Sequence, residues 1–471
     1  MQEFMQKLLA RLNLDLLIRY GIAAILIAVP LYPKFPLLQV PGIYVAIRIE
    51  DFLILSVSIL WVIKVFPNIG KLWENKIVRA AVLFLSVALV ATLSGIFFLH
   101  TISPVVGILQ WGRRVEYFMG FFIAMSSIKS QKDIEFYVKC LGIVLILVFL
   151  YGAGQKHFGW PVITTQNEEY SKGIALRYVP GGHLASTFAG HYDLATYVIL
   201  TSPIFVALLF LKKEALKQLI NINDKASRGL ILFILISSFW LMVNAASRIS
   251  AVSYVFSLTV TLFLLRKYKY IPVVVIVTII FAFATSNLFD RYLNIFDVVR
   301  KKLMGLIPTA YAQSPVSKLP ESTPLPVPIG LEDRSTSIRL AVEWPRAIRA
   351  FLKNPLLGTG YGSTTLATDN DYLRILGETG ILGFISIFFV YFRIIWEFIT
   401  KSWPRGLFSK KEIDFRTAYL AGVIGVIPGI LLNALFIDVF EASKFAISFW
   451  IIIGMAVAMI AINYKTEGAK N

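Results

Sequence analysis

The chain has 471 residues, of which 57% are hydrophobic and only 16% are charged. Soluble domains are about 45–50% apolar and about 25% charged, so a soluble protein of this composition would lack the polar residues to cover its core. The composition therefore excludes an ordinary soluble enzyme, a disordered chain and a fibrous repeat, and it predicts a membrane protein. The net charge of +18 would suggest a nucleic-acid partner in a soluble protein. In a membrane protein it indicates the orientation of the loops, and we expect no nucleic-acid partner.

Apolar runs of about 17–25 residues, long enough to cross a lipid bilayer, recur along the chain. They predict an all-α integral membrane protein with about twelve transmembrane helices. An even number of spans places both termini on the same side of the membrane. The predicted spans are 15–32, 49–66, 79–99, 104–127, 137–154, 193–211, 229–246, 249–265, 270–287, 379–396, 417–436 and 444–463.

The distribution of basic residues predicts the orientation. With a cytoplasmic N-terminus, the inner segments contain 24 Lys and Arg, whereas the short outer loops contain Lys34, Arg48, Arg248 and Lys444. Because cytoplasmic loops carry an excess of Lys and Arg, this asymmetry predicts that both termini are cytoplasmic.

The longest polar stretch divides the chain into two membrane domains. Spans 1–9 occupy 1–287, and spans 10–12 with a cytoplasmic tail occupy 379–471. Between them, 288–378 is predicted to be a long extracytoplasmic loop that contains helices. Within this loop, 314–329 is rich in Pro and Ser, as is typical of a linker, whereas 333–378 has the pattern of helices. The helical part is the candidate catalytic part, and Pro345 is expected to kink its first helix.

Charged residues near the middle of the fourth predicted span are candidate functional residues. Arg113, Arg114 and Glu116 lie there, and charge in hydrocarbon costs several kcal/mol. The two arginines could bind an anion in a water-filled cavity, or one of them could form an Arg–Glu pair that joins helices.

Arg248 lies at the predicted outer turn between spans 7 and 8. Its guanidinium could bind phosphate or could reach lipid headgroups.

Other candidates lie in the outer loops. Asp369, Asn370 and Asp371 stand at a predicted helix start, where they could cap the helix or supply a general base. His183 and His191 lie in the first long outer loop, either as polar surface residues or as substrate ligands. Because no pair of histidines has the spacing of a metal site, we predict neither a metal nor another cofactor.

The segment NPLLGTGYGSTTLATDNDYLRILGETGILGFI resembles the signature of the O-antigen ligase and O-antigen polymerase superfamily. The matching pieces are a glycine-rich turn, an Asp-Asn-x-Tyr-Leu helix start and a Glu-x-Gly-x-x-Gly segment before the next span. They lie at Pro355–Gly362, Asp369–Leu373 and Glu378–Gly383. Ser247-Arg248 and the basic fourth span, QWGRRVEYF, are similar to further features of the same superfamily.

The resemblance implies a metal-independent membrane glycosyltransferase. Such an enzyme transfers or polymerises a glycan from undecaprenyl pyrophosphate onto a hydroxyl of a glycan, lipid or protein, at the outer face of the cytoplasmic (inner) membrane. Asp369 would then be the base and Arg248 would stabilise the pyrophosphate. The other residues expected to bind substrate are Arg113, Arg114, Arg177, His183, His191, Arg339, Asn370 and Tyr372.

The chain departs from the superfamily pattern at two positions. Related ligases carry His where this chain has Asp369, which leaves polymerisation, or transfer to another acceptor, open. His183 stands where an Arg is expected. The alternative function is a transporter or flippase of lipid-linked oligosaccharide, although no internal repeat indicates one. A non-catalytic scaffold is a third reading, but it would not need arginines within a span.

Overall fold

The computed structural model describes residues 13–33, 37, 48–163, 175–176, 178, 182–284, 339–364, 367–402 and 413–468. This part of the chain is helical, apart from a short antiparallel pair formed by β1 (Val162–Ile163) and β2 (Ala175–Leu176). The all-helical class is therefore confirmed for the described residues. Arg177, the linker at 314–329 and the first part of the predicted outer loop, 288–338, lie outside them.

Fifteen α-helices occur within the described residues. They are α1 (Leu14–Leu31), α2 (Ile49–Val65), α3 (Ile69–Trp73), α4 (Lys76–Phe97), α5 (Pro104–Ser127), α6 (Gln131–Phe158), α7 (His191–Leu208), α8 (Lys213–Ile220), α9 (Asp224–Ala245), α10 (Arg248–Leu264), α11 (Ile271–Ala284), α12 (Trp344–Lys353), α13 (Asp371–Ser402), α14 (Phe415–Asn433) and α15 (Ser443–Gly468). A π-helix, Arg339–Glu343, precedes α12, and the 3₁₀ turn Val439–Glu441 precedes α15.

Nine helical segments of the described chain are long and apolar enough to cross a membrane. They comprise α1, α2 extended through α3, α4, α6, α7, α9, α13, α14 and α15. The remaining predicted spans coincide with α5, which carries three charged residues near its middle, and with the shorter apolar helices α10 and α11. A multi-pass membrane protein is thus supported, while the count of twelve stays a prediction.

The outward faces of the bundle are apolar. On α2, Leu55, Ile59 and Val62 are about half exposed and recur at helical spacing. A soluble protein rarely exposes such a continuous apolar stripe, whereas lipid tails cover it without cost. The opposite surface of this helix, with Ile54 and Val57, is buried against the bundle.

The helix ends meet in the pattern that alternating spans require. Asp15, at the start of α1, lies 2.6 Å from the ammonium of Lys64 at the end of α2. The same carboxylate lies 2.5 Å from Lys129, just before α6. These ends share one side of the bundle, and that this side is cytoplasmic stays a prediction from the positive-inside pattern.

At the opposite side, Lys444 begins α15 and is fully buried. Its ammonium donates to the carbonyls of Pro30, Tyr32 and Thr187 at 3.1, 2.7 and 2.6 Å. Lys444 therefore joins the last helix to the end of the first and to the segment before α7. It serves as an internal cross-link, and it is not one of the exposed loop charges that the sequence suggested.

Close helix packing depends on small residues. A Cβ on Gly429 of α14 would lie 2.2 Å from the hydroxyl of Ser257 and 2.9 Å from the Ser253 carbonyl, both on α10. Small residues at such crossings let two membrane helices approach closely. The α10–α14 contact matters here because the start of α10 and the end of α14 approach the candidate site.

Candidate functional site

The N-terminal end of α13 is fixed by the side chains of Asn370 and Tyr372. Asn370 accepts a hydrogen bond from the Leu373 amide at 2.9 Å, as an N-cap does. The Tyr372 hydroxyl donates to the Leu431 carbonyl on α14 at 2.6 Å. Both residues were predicted to bind substrate, and in the structure each has a clear role in positioning the helix.

Asp369, immediately before this cap, has a left-handed backbone with φ of 50°. Asp438 holds the two neighbouring amides, because its carboxylate accepts from Thr368 N–H at 2.7 Å and from Asn370 N–H at 3.0 Å. Non-glycine residues adopt this backbone region infrequently. The clamp by Asp438 thus stabilises a conformation that the chain would otherwise disfavour.

The Asp369 side chain pairs with Arg339, the first residue of the π-helix. Nε and Nη2 of Arg339 both donate to Oδ2 of Asp369, at 2.9 and 2.7 Å. Burial raises the pKa of Asp369 above its ordinary value, although the guanidinium acts in the opposite direction. Tyr192 on α7 lies close enough to the guanidinium to contribute to the raised pKa of Arg339. Two sequence-predicted residues that are 30 positions apart are therefore in direct contact.

Unpartnered polar atoms surround this pair. Glu343 Oε2, Trp344 Nε1, Arg346 Nε and Thr368 Oγ1 are buried, and none of them has a hydrogen-bond partner among the described residues. Buried polar groups in folded proteins are nearly always paired, so such a cluster calls for an explanation by water or a ligand. Burial raises the pKa of Glu343 to about 7, and the Asp369 carboxylate adds to the rise.

Pro345, at which the sequence predicted a kinked helix, lies next to an irregular segment. Pro345 lies in the first turn of α12, where the missing amide proton is not needed. The irregular geometry precedes it, in the π-helix Arg339–Glu343. Single turns of π-helix occur frequently at functional sites. Pro345 therefore stands where the helix changes from π to α geometry, and the kink expected there stays a prediction.

His183 and His191 come together beside this region. Their rings stack with centroids 4.2 Å apart and 13° between the planes. His191 begins α7, and the centre of its ring lies 4.0 Å from that of Tyr192, the residue that acts on the charge of Arg339. Both histidines are half-buried, so neither is simply a surface residue. Within the described chain, no three His, Cys, Asp or Glu side chains group as metal ligands do.

Arg248 begins α10 and is half-buried. The preceding Ser247 caps the helix, and Ser250 donates to Asn433 of α14 at 3.1 Å. Asn433 in turn donates to Thr196 of α7 at 2.9 Å. These hydrogen bonds tie the start of α10 to the C-terminal end of α14 and to α7, whose N-terminal end lies near Arg339.

The arginines of α5 lie deeper and have carboxylate partners. Arg113 lies 3.4 Å from Asp51 of α2. Arg114 pairs with Glu441 in the 3₁₀ turn before α15, and its guanidinium lies 4.9 Å from the centre of the Tyr361 ring. These contacts favour the interpretation that the α5 arginines hold segments together. Their role in binding an anion stays a prediction.

Arg374 extends this ion network to the site. Its guanidinium lies 2.8 Å from Asp438, 3.3 Å from Glu441 and 3.7 Å from Glu378. Burial opposes ionisation of Glu441, but Arg114 and Arg374 lower its pKa below the ordinary value. A cavity of about 50 Å³ lies within the network. A continuous series of ion pairs thus connects α5 to the clamp on Asp369.

Sequence reasoning missed Asp438, Glu441 and Glu343. The first two lie in the short loop IDVFEASK between the last two predicted spans. Two acidic residues in so short a predicted loop could have indicated partners for the buried arginines. Glu343 was a weaker indication of a site residue, since it is the only acidic residue between Asp333 and Asp369 in a stretch with several arginines.

The glycine-rich turn GTGYG has a structural role. Its amides are used internally, since Thr359 N–H donates to the Gly377 carbonyl at 3.0 Å and Gly360 N–H to the Glu378 carbonyl at 2.8 Å. Gly362 N–H donates to the Glu378 side chain at 3.2 Å. These amides are therefore not directed at a ligand, and the turn fixes α13.

Part of the chain that carries this site is similar to a known protein family. Residues 231–388 match the family model described as O-antigen ligase. No curated protein matches the chain. The matched region includes Arg248, Arg339, Glu343 and Asp369. It confirms the resemblance to the O-antigen ligase and polymerase superfamily, and it supports membrane glycan transfer at the level of the family.

Proposed function

From the O-antigen ligase domain at residues 231–388, we propose that the protein transfers or polymerises a glycan carried on undecaprenyl pyrophosphate. The acceptor is a hydroxyl group of a glycan, lipid or protein at the outer face of the cytoplasmic membrane. The observation that carries the proposal is the Arg339–Asp369 pair, which lies inside the matched domain and among buried polar atoms without partners.

The chemistry needs an anion site and a proton acceptor. When the acceptor oxygen attacks the first sugar carbon, the bond to the pyrophosphate breaks and negative charge develops on the leaving group. Arg339 and Arg248 supply guanidinium groups suited to phosphate oxygens. Asp369 and Glu343 supply carboxylates that could accept the hydroxyl proton. The sequence pattern favours Asp369 for that role, and the reaction is proposed to need no metal.

A reconstituted assay tests this function. The purified protein in lipid nanodiscs receives a glycan on undecaprenyl pyrophosphate and an acceptor, and the product is measured by mass spectrometry. We expect Arg339→Gln and Arg248→Gln to lower turnover by about 10²-fold or more, because each loses a cation that stabilises developing charge. Arg349→Gln, at an exposed position of α12, is the matched control and should retain activity.

Wild-type turnover in the Arg339 and Arg248 variants would refute the proposed site. A chelator should leave the wild-type rate unchanged, and restoration by a divalent ion after loss would contradict the metal-free reaction. Surface glycans from cells that lack the protein distinguish the two reaction types. Short single-unit glycans indicate a lost polymerase, whereas long chains that accumulate on the lipid carrier indicate a lost ligase.

A further inference from the structure

The Asp369 carboxylate already has a strong partner. Its Oδ2 accepts two hydrogen bonds from the Arg339 guanidinium, at 2.9 and 2.7 Å. Charge-assisted bonds of this kind are about twice as strong as neutral ones. A proton that binds this oxygen must displace them. One of the two carboxylate oxygens of Asp369 is therefore engaged in orienting Arg339.

Glu343 has the complementary arrangement. It ends the π-helix that Arg339 begins, so both side chains belong to the same irregular segment. Its Oε2 is buried and has no hydrogen-bond partner among the described residues. Among the charged groups that act on it, Asp369 and Asp438 raise its pKa, and Arg339 and Arg346 lower it. An unpaired carboxylate oxygen can accept a proton from a substrate hydroxyl without first losing a hydrogen bond.

We propose that Glu343 is the general base of the glycan transfer, and that Asp369 is a positioning residue for Arg339. The inference rests on the proposed function. In the step, the acceptor oxygen forms a bond to the first sugar carbon as its proton passes to the Glu343 carboxylate. The bond from that carbon to the pyrophosphate oxygen breaks, and the undecaprenyl pyrophosphate leaves with the electron pair.

The proposal predicts a defined pH dependence. The base must be deprotonated, so kcat/KM rises with pH through the pKa of Glu343, about 7, and is constant above it. Removal of the carboxylate removes this rising limb. An Asp369 variant keeps the limb, because the base remains, and it affects KM more than the shape of the profile.

The experiment compares Glu343→Gln, Asp369→Asn and the exposed control Glu74→Gln in the nanodisc assay from pH 5 to 9. We expect Glu343→Gln to lower kcat by about 10²-fold or more and to abolish the limb, since general bases contribute factors of this size. Asp369→Asn should keep the limb and raise KM. Thermal unfolding of each variant confirms that it is folded.

Two results would overturn the proposal: a limb that survives in Glu343→Gln, or one that disappears in Asp369→Asn alone. A second measurement does not depend on turnover. Infrared difference spectra of wild type minus Glu343→Gln follow the carboxyl band as pH changes. Titration near neutrality supports the proposal, and titration in the ordinary glutamate range near pH 4.5 refutes it. A wild-type protein without transfer activity refutes the proposed function, whatever the infrared titration shows.

Discussion

The bend in α13 can form only because residue 380 is a glycine. Gly380 has φ of 64° and ψ of −168°, a region essentially restricted to glycine. A Cβ at this position would lie 2.4 Å from the Leu356 carbonyl oxygen and 2.6 Å from the Gly358 nitrogen. Gly380→Ala therefore adds a backbone strain of about 1–3 kcal/mol to a collision with two main-chain atoms that have no freedom to rotate away. We expect it to destabilise the protein by about 3 kcal/mol or more.

The control is Gly229→Ala in α9, where a Cβ would meet nothing within 4 Å. Alanine is favoured over glycine in a helix by about 0.5–1 kcal/mol, so this variant should be as stable as wild type or slightly more. Tryptophan fluorescence during heating in detergent measures both. The reasoning fails if the unfolding midpoint of Gly380→Ala equals that of wild type, or if both alanine variants shift equally.

Two further predictions concern buried charges. Lys444→Met removes a donor from three main-chain carbonyls, of which Pro30 keeps a second donor in the Thr187 hydroxyl. At about 1–3 kcal/mol for each acceptor left unsatisfied, the variant should lower the unfolding midpoint, whereas the exposed Lys76→Met should not. Equal midpoints would contradict the cross-link. Arg114→Gln and Glu441→Gln should each destabilise by about 3–5 kcal/mol, and the double variant by less than their sum. Additive losses in such a double-mutant cycle would show that the pair does not interact.

The helix positions could be predicted because a span is a local property. About twenty apolar residues in succession suffice to mark one, and each predicted span coincides with a helix. The π-helix before Pro345 could not be predicted, because its geometry depends on what that segment contacts.

The partners of the buried charges could not be predicted from the sequence. Arg114 and Glu441 are 327 positions apart, and local patterning gives no information on which of several carboxylates such an arginine meets. The same is true of His183 and His191, whose sequence spacing fits no regular element although their rings stack. Asp369 and Asn370 were recognised from their motif, yet Asp438, which positions them, belongs to no recognised pattern.

The Lys444 cross-link has a consequence for biosynthesis. Its acceptors at Pro30 and Tyr32 emerge from the ribosome 414 and 412 residues before the lysine does. The carbonyls at the end of α1 therefore lack the Lys444 donor until nearly the whole chain has been inserted. A chain truncated before α15 would lack this donor permanently, so we expect it to be incompletely packed at this end of the bundle and to be degraded.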